Sequence, residues 1–150
     1  MDAETSGTTL LIVEDEMLPA LALKDELEDA GYRVMDLTGR QQEALDAVRD
    51  CKPHLALVNI KLHGRNDGLE LARQLKEMDI PVLFISGQVS KAQSAKSVAI
   101  ASLPKPYSVA DMVLSVHYLL AHLQGDESLP RPPNLEVFSG SPDEAVPDAA

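Results

Sequence analysis

HLALVNIKL, residues 54–62, reads as one buried strand that ends in a polar residue. Leu55, Ala56, Leu57 and Val58 form a short unbroken apolar run, as a strand covered on both faces of a parallel sheet requires. The same pattern recurs on either side of it. Upstream, LLIVEDE (10–16) is an apolar run that ends in acids; downstream, PVLFISG (81–87) ends in Ser86, and LPKPY (103–107) sets Lys105 after a fourth run. Open parallel sheets bind ligands at the carboxyl ends of their strands. Glu14, Asp15, Asn59, Ser86 and Lys105 are therefore expected to converge in one pocket.

Between these runs the apolar period changes to that of a helix. Ala20, Leu23, Leu27 and Ala30 recur at three- and four-residue spacing, with Pro19 tolerable in the first turn and Gly31 as the stop. Residues 32–37 read as a second strand, and 41–50 as a second helix with Ala44, Ala47 and Val48 on one side. A loop holding Gly64 and Gly68 leads to a third helix that buries Leu71, Leu75 and Met78, while VSKAQSAKSVA (89–99) supports only a short or weak fourth. The last helix is announced by Ser108 with Asp111 three residues on, a cap signature, and by the stripe Val109, Met112, Val113, Val116, Leu120 and Leu123. Five strand-helix pairs in alternation predict an α/β fold, a five-stranded parallel sheet with right-handed crossovers and helices on both faces.

Composition bounds the function. A chain of 150 residues, 45% of them hydrophobic, is expected to make one domain with a sizeable core. The body spans 9–124, after a flexible start at 1–8. Residues 125–150 hold five of the ten prolines and six acids against Arg131, about half of the net charge of -11. That composition reads as a disordered, solvated, acidic tail, with a docking peptide through Leu135, Val137 and Phe138 as the second reading. Cys51, the lone cysteine, rules out an internal disulfide and reads as a small buried apolar residue. No run approaches the roughly 20 apolar residues of a membrane helix, and the start MDAETSGTT is acidic where a signal peptide is basic, so a soluble, cytoplasmic protein is expected. The acidic balance argues against direct nucleic-acid binding. His54, His63, His117 and His122 lack metal-ligand spacing, and no glycine-rich GxxxxGK loop, Ser-His-acid set or activated cysteine points to an enzyme.

The order and spacing of the strand ends resemble the receiver domain of two-component response regulators, over residues 9–123. The resemblance implies the flavodoxin-like strand order 2-1-3-4-5. It implies a Mg²⁺ site in which Asp15 is the more direct ligand, Glu14 lies beside it or acts through water, and the backbone carbonyl of Lys61 completes the protein's share. Ser86 and Lys105 would contact a phosphoryl group, with a cis bond before Pro106 aiming the ammonium inward. Receivers carry an aspartate acceptor where this chain has Asn59. A carboxylate attacks phosphorus, whereas an amide nitrogen has its lone pair delocalised and does not. Asn59 should also weaken Mg²⁺ binding and relieve like-charge repulsion in an empty pocket. Ser102 stands where receivers commonly carry a switching aromatic, and Tyr107, on the other side of the lysine, does not obviously replace it.

Two functions follow as expectations. The first is a stand-alone phosphorelay receiver with its acceptor chemistry disabled, regulating a downstream protein through its fourth helix, fifth strand and fifth helix, and able to homodimerise. Its upstream partner would be a histidine kinase or phosphotransfer protein if position 59 is naturally Asp. The alternative is a constitutive, phosphorylation-independent interaction module, a pseudo-receiver. A natural pseudo-receiver and an acceptor knockout would carry the same sequence.

Overall fold

The apolar runs become the centre of a sheet. A computed structural model describes residues 7–62, 67–87 and 96–138 of the chain. Strands β1 (Thr9–Val13), β3 (Leu55–Asn59) and β4 (Val82–Ser86) are buried at every residue, and β5 (Ala101–Pro104) is buried through Leu103. With β2 (Arg33–Val34) and β6 (Glu136–Val137) they form one sheet in the order β2-β1-β3-β4-β5-β6. The first five strands run parallel, in the flavodoxin-like order expected. β6 is added antiparallel to the outer edge of β5.

Successive side chains of a strand point to opposite faces, and here each face has its own core. Leu11, Val13, Val58 and Phe84 pack with Ala44 and Val48 of α2 (Gln41–Asp50) and Leu71 and Leu75 of α3 (Asp67–Glu77). Leu10, Ile12, Leu57 and Ile85 pack on the other side with Leu23 and Leu27 of α1 (Met17–Asp29) and Met112, Val116 and Leu119 of α4 (Val109–Leu123). Each such aliphatic side chain contributes about 1.5–3 kcal/mol when fully buried. The Ser108 hydroxyl caps α4 by accepting from the Asp111 N–H at 3.0 Å.

Several expectations need correction. The second strand was to span 32–37, but regular pairing covers only Arg33–Val34, and Thr38 rejoins β1 as a single bridge to Val13. The Met35 N–H bonds the Leu10 carbonyl and the Thr38 N–H bonds the Ile12 carbonyl, so three residues of this edge span two of β1. One extra residue of that kind breaks a ladder. On the last helix the buried face is Met112, Ser115, Val116 and Leu119, with Leu120 half-buried and Leu123 exposed. Ser115 escapes a hydropathy reading because its hydroxyl is satisfied within its own helix, donating to the Asp111 carbonyl at 2.7 Å. Cys51 is exposed, not buried, because α2 ends there and its side chain lies outside both cores. The tail is not structureless throughout 125–150: Leu135 and Phe138 are 3% and 5% exposed and flank β6. Strand pairing and two apolar anchors there outweigh the proline content. Residues 1–6, most of the expected fourth helix and residues 139–150 lie outside the described residues.

Asp79 closes α3 with φ at 63°, a left-handed conformation that disfavours side chains other than glycine. Its N–H bonds the Lys76 carbonyl at 2.9 Å, and the Ile80 N–H bonds that of Leu75 at 2.9 Å. Its carboxylate also sits at the negative end of the helix dipole. Asp79→Gly is therefore expected to stabilise the fold by about 1 kcal/mol, read by urea denaturation. An unchanged or lower midpoint would mean that Asp79 is not strained.

Candidate functional site

Three strand ends meet at Glu14. Its side chain follows β1 and is 1% exposed, and its Oε2 accepts from the Asn59 amide Nδ2 at 3.1 Å and from the Glu16 N–H at 3.1 Å. Asn59, at the end of β3, is 5% exposed, and its Oδ1 accepts from the Lys61 N–H at 3.4 Å. The Lys105 Nζ lies 3.7 Å from Glu14 Oε1. That oxygen is fully buried and has no hydrogen-bond partner among the described residues. Asp15 is half-buried beside it.

The backbone positions these groups. The Lys105 N–H donates to the Ser86 carbonyl at 2.8 Å, carrying the β4-β5 ladder one step past β5, and the Lys105-Pro106 bond is cis as the resemblance implied. Ser86 is buried at the end of β4, opposite Pro104. The Glu14 N–H donates to the Thr38 carbonyl at 2.9 Å, and Gly39 passes so close that a Cβ there would lie 3.2 Å from the Asp15 Cα. Gly68 comes nearer still, since its Cβ would lie 2.2 Å from the Asn59 carbonyl oxygen. Sequence reasoning took Gly68 for a loop glycine and did not single out Thr38 or Gly39. The available signal was small residues next to a strand end.

Burial pushes the Glu14 carboxyl up, opposed by the Glu16 N–H, the Lys105 charge and the Asn59 amide, with Asp15 adding to the rise. The Tyr107 hydroxyl is pushed up to about 12, first by burial and then by the negative charge of Glu14. Tyr107 thus lies within the electrostatic reach of the pocket. Ser102 is buried in β5, paired with Phe84.

Among the described residues no three His, Cys, Asp or Glu side chains group as a metal cluster. The pocket holds two carboxylates, an amide and a lysine. The sequence profile of the response regulator receiver domain matches residues 10–117. The chain belongs to the response regulator receiver domain family.

This receiver is 28% identical over 121 residues to the transcriptional regulatory protein PdtaR of Mycobacterium tuberculosis, a match covering 77% of this chain and 58% of that protein. It is 30% identical over 132 residues to the phosphate regulon transcriptional regulatory protein PhoB of Pseudomonas aeruginosa, covering 83% and 57%. The chain spans just over half the length of these relatives. A CheY-like response regulator receiver domain protein from Methanospirillum hungatei superposes with a TM-score of 0.70 over 79% of this chain and 97% of its own, at 23% identity, a likeness of fold.

Receiver domains generally bind Mg²⁺ at the phosphorylation site. The donor set of this receiver fits such an ion: Glu14 offers a buried oxygen with no hydrogen bond among the described residues, Asp15 a second carboxylate, and Asn59 Oδ1 and the Lys61 carbonyl are hard oxygens. When bound, the ion would offset negative charge in the pocket.

The sign of the Glu14 shift sets a pH dependence. A carboxyl with a raised folded pKa contributes stability that is fully present below its unfolded pKa and lost as pH rises through the folded value. Glu14→Gln removes that loss. The variant is expected to melt above the parent at pH 7, with the advantage shrinking as pH falls through the raised Glu14 value toward that of the unfolded chain. A gap that stays constant with pH would assign the effect to another group.

Proposed function

We propose that this receiver regulates a partner protein through its surface and takes no phosphoryl group at position 59. What carries the reading is the Asn59 side chain, which occupies the acceptor position at the end of β3 and donates its amide to Glu14 Oε2 at 3.1 Å. An amide so placed has no oxygen anion with which to attack phosphorus. Glu14, Asp15 and the Lys61 carbonyl are the proposed Mg²⁺ ligands, and Ser86 and Lys105 the groups that would meet a phosphoryl oxygen. The role is signalling rather than catalysis. No described helix is long and apolar enough to cross a membrane, and a cytoplasmic site of action belongs to the proposal. A histidine kinase or phosphotransfer protein enters as upstream partner only where position 59 is Asp.

Incubation with acetyl phosphate and Mg²⁺, followed by intact mass, tests this reading. No gain is expected. A stoichiometric increase of about 80 Da, one phosphoryl group, would sink it.

A second reading, the constitutive interaction module, draws on a specific observation. The Glu16 N–H and the Asn59 amide donate to Glu14 and the Lys105 ammonium lies 3.7 Å from it, so the protein's own groups offset the Glu14 charge. Under that reading, partner affinity stays the same with and without Mg²⁺ and phosphodonor, even in Asn59→Asp.

A further inference from the structure

We propose that residues 135–138 are a detachable plug on a docking edge. The edge is the outer side of β5. Its other occupant is an extended partner segment with two apolar anchors three residues apart. The inference rests on the reading that this receiver engages a partner, and it names how access to that partner is controlled.

The plug is held at few points. β6 pairs at two positions, Val137 with Ala101 and Glu136 with Ser102, and the Phe138 N–H adds a bond to the Ile100 carbonyl at 2.8 Å. By contrast, β3 pairs with β1 at four positions and with β4 at four. Most of the hold comes from side chains. Leu135 enters the core that contains Leu103, Met112 and Val116, while Phe138 enters the opposite core with Phe84 and Ala99. Residues three apart on a strand point to opposite faces, so the two anchors clasp the sheet edge from both sides. Glu136 between them is exposed.

The preceding tether brings no strand of its own. Pro130, Pro132 and Pro133 lack an N–H; the bonds are turns, such as Leu135 N–H to the Pro132 carbonyl at 3.2 Å, and contacts with the end of α4, the Asp126 N–H to the Ala121 carbonyl at 2.9 Å and Glu127 beside His122 at 2.5 Å, with Pro132 buried. Opening the plug breaks a short ladder and frees two anchors without disturbing the centre of the sheet. The ladder is short enough to open locally, and the two buried anchors set the cost of opening. Once opened, β5 presents an unpaired edge with an apolar site on each face. Strand addition uses such an edge, with main-chain bonds for affinity and alternate side-chain sites for specificity. The segment Leu135-Glu136-Val137-Phe138 shows the pattern that the edge accepts.

Hydrogen exchange on the full chain is the first test. The Phe138 amide is expected to exchange on the order of a hundredfold faster than the Ala56 amide, which bonds the Pro81 carbonyl in the sheet centre. Equal protection of the two would make the plug an integral part of the fold and overturn the proposal, whatever any variant does. The second test uses Leu135→Ser/Phe138→Ser in the full chain and a fluorescent peptide of residues 126–138. The double variant is expected to bind the peptide saturably and the parent at least about tenfold more weakly, since its own plug competes. A folded double variant that binds no peptide, or that pairs with itself instead, would overturn the docking edge. Phosphoryl labelling of the parent would sink the proposed function and leave both of these readouts unmoved.

Discussion

Asn59→Asp is expected to gain one phosphoryl group from acetyl phosphate and to bind Mg²⁺ at least about tenfold more tightly, the two gains appearing together. In the parent, the Asn59 amide donates to Glu14 Oε2 at 3.1 Å, so position 59 is a hydrogen-bond donor. An aspartate there replaces that donor with a carboxylate facing a carboxylate. The metal-free variant should lose about 1–3 kcal/mol through the lost bond and the new repulsion, and Glu14 should titrate higher still. Added Mg²⁺ should return that stability and raise the melting temperature more than it does in the parent. Lys105, 3.7 Å from Glu14 Oε1, already stands where it can meet the new negative charge. Mass spectrometry and a Mg²⁺ titration read the two effects separately. A variant that binds Mg²⁺ more tightly but never labels with several phosphodonors would favour the constitutive module.

Gly68→Ala should damage the fold more than an alanine at Gly39 or Gly87. A Cβ there would lie 2.2 Å from the Asn59 carbonyl oxygen and 2.7 Å from both the Cα and the carbonyl oxygen of Ile60. All three are backbone atoms, so no side chain can turn away to make room. The Gly68 N–H also bonds the Ile60 carbonyl at 3.0 Å, and moving the chain outward stretches that bond. The first turn of α3 must lift off the end of β3. A loss of about 3 kcal/mol is expected, roughly 10 °C in melting temperature. Gly87→Ala is the control, because no atom of the described residues lies within 4 Å of a Cβ at that position. If the two variants melt together, the approach of α3 to β3 is looser than these distances state.

The central strands were legible because each is an unbroken apolar run, and no helix-period pattern competes within LLIV, LALV or VLFI. Glu14 and Asn59 could be placed at strand ends because each is a polar residue directly after such a run, and they meet there. The edges were harder to read. At residues 32–37 one extra residue breaks the pairing, and a bulge leaves no hydropathy signature. On the last helix the true face includes Ser115, which hydropathy counts as surface, so the stripe was drawn toward Leu120 and Leu123. In the tail, a two-residue strand lies below the length at which alternation can be recognised, and the prolines dominate the composition. The sequence itself marks Leu135, Val137 and Phe138 as the apolar anchors of a docking peptide. The surface they meet is the edge of their own sheet.

Cys51 has a practical corollary. It is exposed where α2 ends, just before β3 begins, and so lies at the end of the sheet opposite Asn59. An accessible thiol oxidises in air, and two chains can then be cross-linked pole to pole through a disulfide. A species of doubled mass that disappears with reductant would therefore report storage conditions and not assembly. The same thiol accepts a single maleimide dye per chain, at a distance from the pocket and from β6. A chromophore there can follow tumbling and self-association without touching either.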